Sequence, residues 1–202
     1  QIVAITKTFP ASAIESAHRA GIKNIGENRI QESSQKFPHL PDLPRLKKRL
    51  VGHLQSNKAS KAIKLFDAID SIDSLKLARR LSVLLAENCN NYESLLQVNI
   101  GQDPTKHGFQ PGKIDTLLEV LELKNLGVKG LMTIGELTTN ETTIRKTFQK
   151  LRQLKERLNT HLPEEGQLTE LSMGMSSDYE MAVEEGATMV RIGTALFGER
   201  QR

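Results

Sequence analysis

Short apolar, β-rich runs recur along the chain, each followed by a stretch of helical period. The runs fall at Ile2–Lys7, Asn24–Asn28, Leu50–Gln55, Ala68–Ile72, Leu95–Ile100, Val128–Ile134, Leu168–Met173 and Met189–Gly193. Between them, "IDTLLEVLEL" sets Ile114, Leu117, Leu118 and Leu121 on one helical face, at i, i+3, i+4 and i+7. "TIRKTFQKLRQLKERL" aligns Ile144, Phe148, Leu151, Leu154 and Leu158, and "SLKLARRLSVLLAEN" aligns Leu77, Leu81, Leu84 and Leu85. Local punctuation agrees: Asn140 precedes "ETTIRK", Asp115 follows "QPGK", and Gly21 in "RAGIKN" stops a helix.

Strands separated by single helices imply parallel pairing with right-handed crossovers. Eight such units in 202 residues predict an α/β fold, a (β/α)8 barrel at the compact end of its range. An open doubly wound sheet would stop at five or six strands. The longest polar stretches, "SQKFPHLPDLPRLKK" and "NTHLPEEGQ", read as single loops, so one domain is expected over residues 1–202.

Composition narrows the class. Apolar residues make up 38% and charged residues 26%, a globular balance. The net charge is +4 and the pI about 9.2. There is no Trp and only two Tyr, so stacking platforms for single-stranded nucleic acid are few. The basic run "RLKKRL" (Arg45–Leu50) lacks aromatic interleaving and reads as a solvated loop rather than an RNA-binding element. No apolar run is long enough to span a bilayer, and no signal peptide opens the chain. The single cysteine, Cys89, allows no intrachain disulfide and has no partner at metal-ligand spacing. It reads as a bystander, the compartment as the cytoplasm, and no metal site is expected.

In a parallel barrel the C-terminal strand ends and the loops after them share one face, where chemistry is done. Read there, the strands end in Lys7; Glu27 and Asn28; "GHLQSNK" with His53; "DSID"; "VNIGQDPTKHGF"; "LMTIGE"; "LSMGMSSD"; and "VRIGTALFG". The turns "GMSSD", with Ser176 and Ser177, and "RIGTALFG", with Gly193 and Thr194, are small and hydroxyl-bearing, and each opens a helix. Either alone reads as an ordinary N-cap turn. On adjacent strands they read as a divided grip on a phosphate.

A lysine across the mouth from a phosphate grip suggests a phosphorylated carbonyl compound held as a Schiff base. An ordinary lysine has a pKa of about 10.4, so it must be desolvated, or set near positive charge, to attack a carbonyl. Lys7 at the mouth is the candidate; a solvated strand-end lysine is the plainer reading. Arg191 sits within the last strand and needs an anionic or acceptor partner. A carboxylate such as Glu170 or Glu27 could serve. If the ligand is pyridoxal 5′-phosphate (PLP), an arginine opposite the pyridine nitrogen would keep that nitrogen unprotonated and weaken the ring as an electron sink.

"AITKTFP", "GENRIQE", "VGHLQSNK", "QVNIGQDPTKHGF", "LSMGMSSDYEMAVEEGATMVRIGTALFG" and the segments between them resemble the pyridoxal phosphate homeostasis proteins over nearly the whole chain. The resemblance implies a barrel like the N-terminal domain of alanine racemase. It implies PLP bound on Lys7, with Ser176, Gly193 and Thr194 on the phosphate, Ser177 nearby and Arg191 at the pyridine nitrogen. Asn28 and His53 would sit beside the ring and Met173 would pack near it. A role in buffering or delivering PLP is implied, with apo PLP-dependent enzymes as recipients and no established turnover. A monomer that binds neither nucleic acid nor membrane is expected.

Two departures stand out. The family's usual aromatic–His pair before "Gly-His-Leu-Gln" is replaced by Lys48 and Arg49, and the sequence opens almost directly on the lysine strand, so the family's usual N-terminal helical segment is expected to be missing from it by truncation. The competing reading is an enzyme: a PLP-dependent racemase or lyase, or a Schiff-base aldolase on a phosphorylated substrate. A racemase needs a second base, for which Tyr179 and, less readily, Tyr92 stand in sequence. Glu27, Lys58 and Asp70 are candidate helpers for an aldolase.

Overall fold

The computed structural model describes residues 1–88, 92–136 and 138–199. Cys89 lies outside them. Eight parallel strands close into a barrel in sequence order: β1 (Ile2–Ile5), β2 (Asn24–Glu27), β3 (Lys47–Leu50), β4 (Ala68–Ile72), β5 (Glu93–Gln97), β6 (Val128–Met132), β7 (Glu170–Met175) and β8 (Met189–Ile192). Closure is between β1 and β8, where Val3 pairs with Arg191. The outer ring is α1 (Ala11–Arg19), α2 (Ile30–Lys36), α3 (Ala59–Leu65), α4 (Leu75–Asn88), α5 (Ile114–Leu121), α6 (Glu141–Asn159), α7 (Tyr179–Glu184) and α8 (Thr194–Phe197). No helix among the described residues is long and apolar enough to cross a membrane.

The strand period of two divides the core. Outward-facing Ile69, Leu96, Leu131 and Leu171 pack with the stripes Leu77, Leu81 and Leu85 of α4 and Ile144, Phe148, Leu151 and Leu158 of α6. Ala4 and Ile25 pack outward against Ile14 and Ala17 of α1. Inside the barrel, Val3, Ile5, Leu95, Met132 and Met189 form a separate apolar plug with Val51 against it. Local signals hold where predicted: the Asn140 side chain accepts from the Thr143 amide at the start of α6, and Gly21, with φ +86°, follows the end of α1.

The third strand departs from expectation. It is the charged segment Lys47–Leu50 and not Leu50–Gln55, so the "solvated" basic run is a central strand. Its charges are satisfied by groups distant in sequence. Lys47 Nζ lies 2.7 Å from Glu93 Oε1, and Arg49 turns into the barrel, 2% exposed, onto Asp70. The residues after Leu50 leave the strand and approach β2 closely: a Cβ on Gly52 would sit 2.2 Å from the Asn28 carbonyl oxygen. The other predicted strands lie within about two residues of their observed bounds, except that β5 ends three residues early, at Gln97.

Candidate functional site

The C-terminal ends of the strands surround a cavity of about 650 Å³, within the range of small-ligand pockets. Lys7, Asn28, Ser176, Ser177, Arg191, Gly193 and Thr194 all line it, with Ile5, Val51, Gly52, Ile134 and Met175 supplying most of the apolar wall. Seven of the nine residues read from the sequence are therefore brought to one opening.

Lys7 lies two residues past the end of β1 and is half-buried. Across from it, the turn after β7 meets the turn after β8. Ser176 Oγ accepts from the backbone amides of Gly193 (3.2 Å) and Ala195 (3.3 Å), so two N–H donors converge where a small oxyanion could replace a hydroxyl. The turn is braced by Asp178, whose Oδ1 accepts from the Met175 amide at 2.6 Å. Asp178 precedes α7 but makes no side-chain cap bond to it, so its side chain shapes the loop rather than the helix start.

Arg191 points inward and reaches the cavity, 5% exposed. Neither Glu170 nor Glu27 is its partner: Nη1 donates to the Ser172 carbonyl (2.7 Å) and hydroxyl (2.9 Å), and Nη2 to the Thr133 carbonyl (2.7 Å). Burial pulls the guanidinium down to about 10, against the opposing pull of Asp70 and Asp178. It remains cationic at neutral pH, and two carbonyls and a hydroxyl hold its donor fork in one orientation.

Asn28 contributes an orphan. Its Oδ1 is buried with no hydrogen-bond partner, one of two such side-chain atoms among the described residues. A buried acceptor left unpaired costs about 1–3 kcal/mol, which a donor on a bound ligand would remove.

Two sequence-read residues stand elsewhere. Met173 is fully buried in the helix-facing core beside Leu171 and Ala182, on the outside of the sheet. Gly174, with φ +90°, interrupts the alternation where the pairing of β7 with β8 shifts register, so Met175 is the methionine that lines the cavity. The broken period at a glycine was the available signal. His53 stands at the rim, outside the lining residues, with Nδ1 2.7 Å from Asp73 Oδ2.

The candidates for enzyme chemistry also stand outside the lining. Tyr92 is buried and donates to the Phe66 carbonyl at 2.8 Å, and the Tyr179 hydroxyl donates to Glu180 Oε1. Glu27 lies under α2, accepting from Thr6 and Lys36; burial raises its pKa more than those two partners lower it. Asp70 is taken by Arg49, and Lys58 is exposed on a short helical turn.

The family model for the N-terminal domain of alanine racemase matches residues 1–201. The pyridoxal phosphate homeostasis protein of Pseudomonas aeruginosa is 42% identical over 98% of this chain and 84% of its own length. The protein of that name from Aquifex aeolicus is 40% identical over 100% of this chain and 87% of its own. The chain belongs to the pyridoxal phosphate homeostasis protein family. The structure of PipY from Synechococcus elongatus with PLP bound superposes with a TM-score of 0.90 at 41% identity, covering 98% of this chain and 92% of PipY. The structure of PipY without PLP gives 0.91 at 42% identity over the same shares. An alanine racemase from Clostridium difficile superposes at 0.78 with 17% identity over 52% of its length, a likeness of fold alone.

Proposed function

We propose that this chain binds pyridoxal 5′-phosphate in the barrel mouth through Lys7 and serves PLP homeostasis, holding and releasing the cofactor rather than turning over a substrate. One observation carries the reading: an amine, a buried guanidinium and a two-turn oxyanion cradle open on a single cavity, in a chain 41% identical to PipY with PLP bound. The residues fit the cofactor. The orphaned Asn28 Oδ1 awaits a donor, and the amides of residues 193 and 195 already converge on one hydroxyl oxygen.

The bound cofactor supplies an aldehyde, an aromatic ring and a phosphate. Lys7 Nζ supplies the amine for a Schiff base, with loss of water. Ser176, Ser177, Gly193 and Thr194 hold the phosphate by hydroxyl and backbone donors. Arg191 offers the pyridine nitrogen only donors, because a guanidinium has no acceptor. A ring whose nitrogen stays unprotonated withdraws electrons weakly, which suits storage better than carbanion chemistry. Met175 and Val51 give the ring apolar walls. Met173 and His53 are left out of these contacts.

In this reading the protein acts in the cytoplasm as a monomer, and apo PLP-dependent enzymes receive the cofactor. The test is an absorbance spectrum of the protein with PLP, before and after borohydride, with the reduced adduct located by peptide mass. The expected result is a visible band and a phosphopyridoxyl group on the Lys7 peptide, both lost in Lys7→Ala. A colourless protein with no adduct at saturating PLP would overturn the reading.

A further inference from the structure

Beside the mouth, three successive strand-to-helix connections bring together a cluster that the cofactor reading does not use. His53 follows β3, Asp73 follows β4, and His107 lies in the long connection after β5. One ligand atom from each lies within 4.8 Å of the other two. Asp73 Oδ2 is 2.7 Å from His53 Nδ1 and 3.9 Å from His107 Nδ1. The two imidazoles stack face to face, with centroids 3.7 Å apart and planes within 8°.

We propose that His53, Asp73 and His107 form a binding site for a divalent transition-metal ion of the zinc class, distinct from the PLP cavity. Two imidazole nitrogens and one carboxylate oxygen are a borderline-soft donor set that zinc accepts readily, leaving a fourth position for water. Magnesium and calcium, which prefer oxygen alone, are poorly matched to it. The carboxylate is the committed member: the Asp73 side chain is 7% exposed, while His53 and His107 are 40% and 58% exposed. A buried carboxylate needs countercharge, and a divalent cation supplies more of it than two imidazoles do.

The backbones are held while the rings can turn. Ser71 Oγ donates to the Gly52 carbonyl at 2.7 Å, tying the residue before His53 to β4. Gln97 Nε2 donates to the His107 carbonyl at 2.9 Å, and Lys106 Nζ to the Gly135 carbonyl at 2.9 Å. Metal–nitrogen bonds of about 2.0–2.1 Å need donors about 3.3 Å apart in a tetrahedral site. Binding would widen the 2.7 Å Asp73–His53 contact and shorten the 3.9 Å Asp73–His107 one, adjustments of about an ångström or less that turning the two exposed imidazoles would supply. Occupied, the site would pin three loops around Gly52, which lines the PLP cavity, and so slow cofactor exchange.

The test uses the intact PLP-loaded protein, cleared of metal with a chelator and titrated with Zn²⁺ alone by calorimetry. Long-range ¹H–¹⁵N spectra of the five imidazoles follow the same titration. The expected result is one equivalent bound and two imidazoles shifted. His53→Ala, Asp73→Asn and His107→Ala should each weaken binding at least about tenfold. His161→Ala, a histidine outside the cluster, should leave it unchanged. Retention of the borohydride-trapped Lys7 adduct in these variants reports an intact fold and cofactor site. Absence of binding at millimolar Zn²⁺ would overturn the proposal. So would binding that survives all three substitutions, or that disappears in Lys7→Ala, which would put the metal on the cofactor.

Discussion

Arg49 and Asp70 meet inside the barrel in a two-point ion pair, Nε to Oδ2 and Nη2 to Oδ1, both at 2.8 Å. Asn24 and Glu93 add acceptors at 3.4 and 3.5 Å from Arg49 Nη1. Burial alone would lower the guanidinium's pKa, but Asp70 and Glu93 more than offset it and hold it above its ordinary value. The pair is buried inside the closed sheet, where (β/α)8 barrels usually carry apolar layers. Removing one partner of a buried pair leaves the other uncompensated, at a cost of about 3–5 kcal/mol. Asp70→Asn should therefore lower Tm by roughly 6–20 °C, at 2–4 °C per kcal/mol for a chain of this size. The double variant Arg49→Met/Asp70→Leu should melt above either of its component single variants, Arg49→Met and Asp70→Leu. Calorimetric melting curves of the three decide it, and a double variant below both singles would show that the pair holds the fold rather than merely tolerating burial.

Ser176 Oγ occupies the point on which two backbone amides converge. Ser176→Ala should leave the Lys7 adduct obtainable at saturating PLP while weakening binding about tenfold, the equivalent of one hydrogen bond to a charged oxygen, or 1.4 kcal/mol. An absorbance titration at fixed pH measures this. A change smaller than about twofold would remove Ser176 from the phosphate's contacts.

Gly174 sets which side chain of β7 faces the mouth. Its φ is +90°, and a Cβ there would lie 2.5 Å from the Cβ of Ala182 on α7. Gly174→Ala should cost about 1–3 kcal/mol from the backbone conformation alone. It should also weaken PLP binding by displacing Met175 and the Ser176 turn. Chemical denaturation and the same absorbance titration report the two effects separately.

Glu93 predicts part of the acid limb. Burial raises its pKa, but Lys47 and Arg49 outweigh burial and hold it below the usual 4.5. A carboxylate depressed in the fold stabilises fully above its unfolded pKa and loses that contribution as pH falls through its folded one. The loss therefore falls below pH 4.5. Glu93→Gln should make stability less dependent on pH in that window, read from urea midpoints between about pH 5 and pH 3.

By itself, the sequence determined the barrel and most of the mouth. Apolar runs alternating with helical stripes allow little else in 202 residues, and a closed parallel sheet sends every strand's C-terminal end to one face. Lys7, Asn28, Ser176, Ser177, Arg191, Gly193 and Thr194 could thus be assigned to one site without knowing a single distance. The tertiary structure decided the rest, in each case because a neighbour across the barrel outweighed a local signal. The strand Lys47–Leu50 looks solvated until Asp70 and Glu93 are placed beside it. Met173 and Met175 exchange roles because Gly174 breaks a period that residue spacing assumes to be constant. Arg191 could have faced either layer until Ser172 and Thr133 presented their oxygens. His53, Asp73 and His107 have no ligand spacing along the chain, since they become neighbours only when three consecutive strands lie side by side.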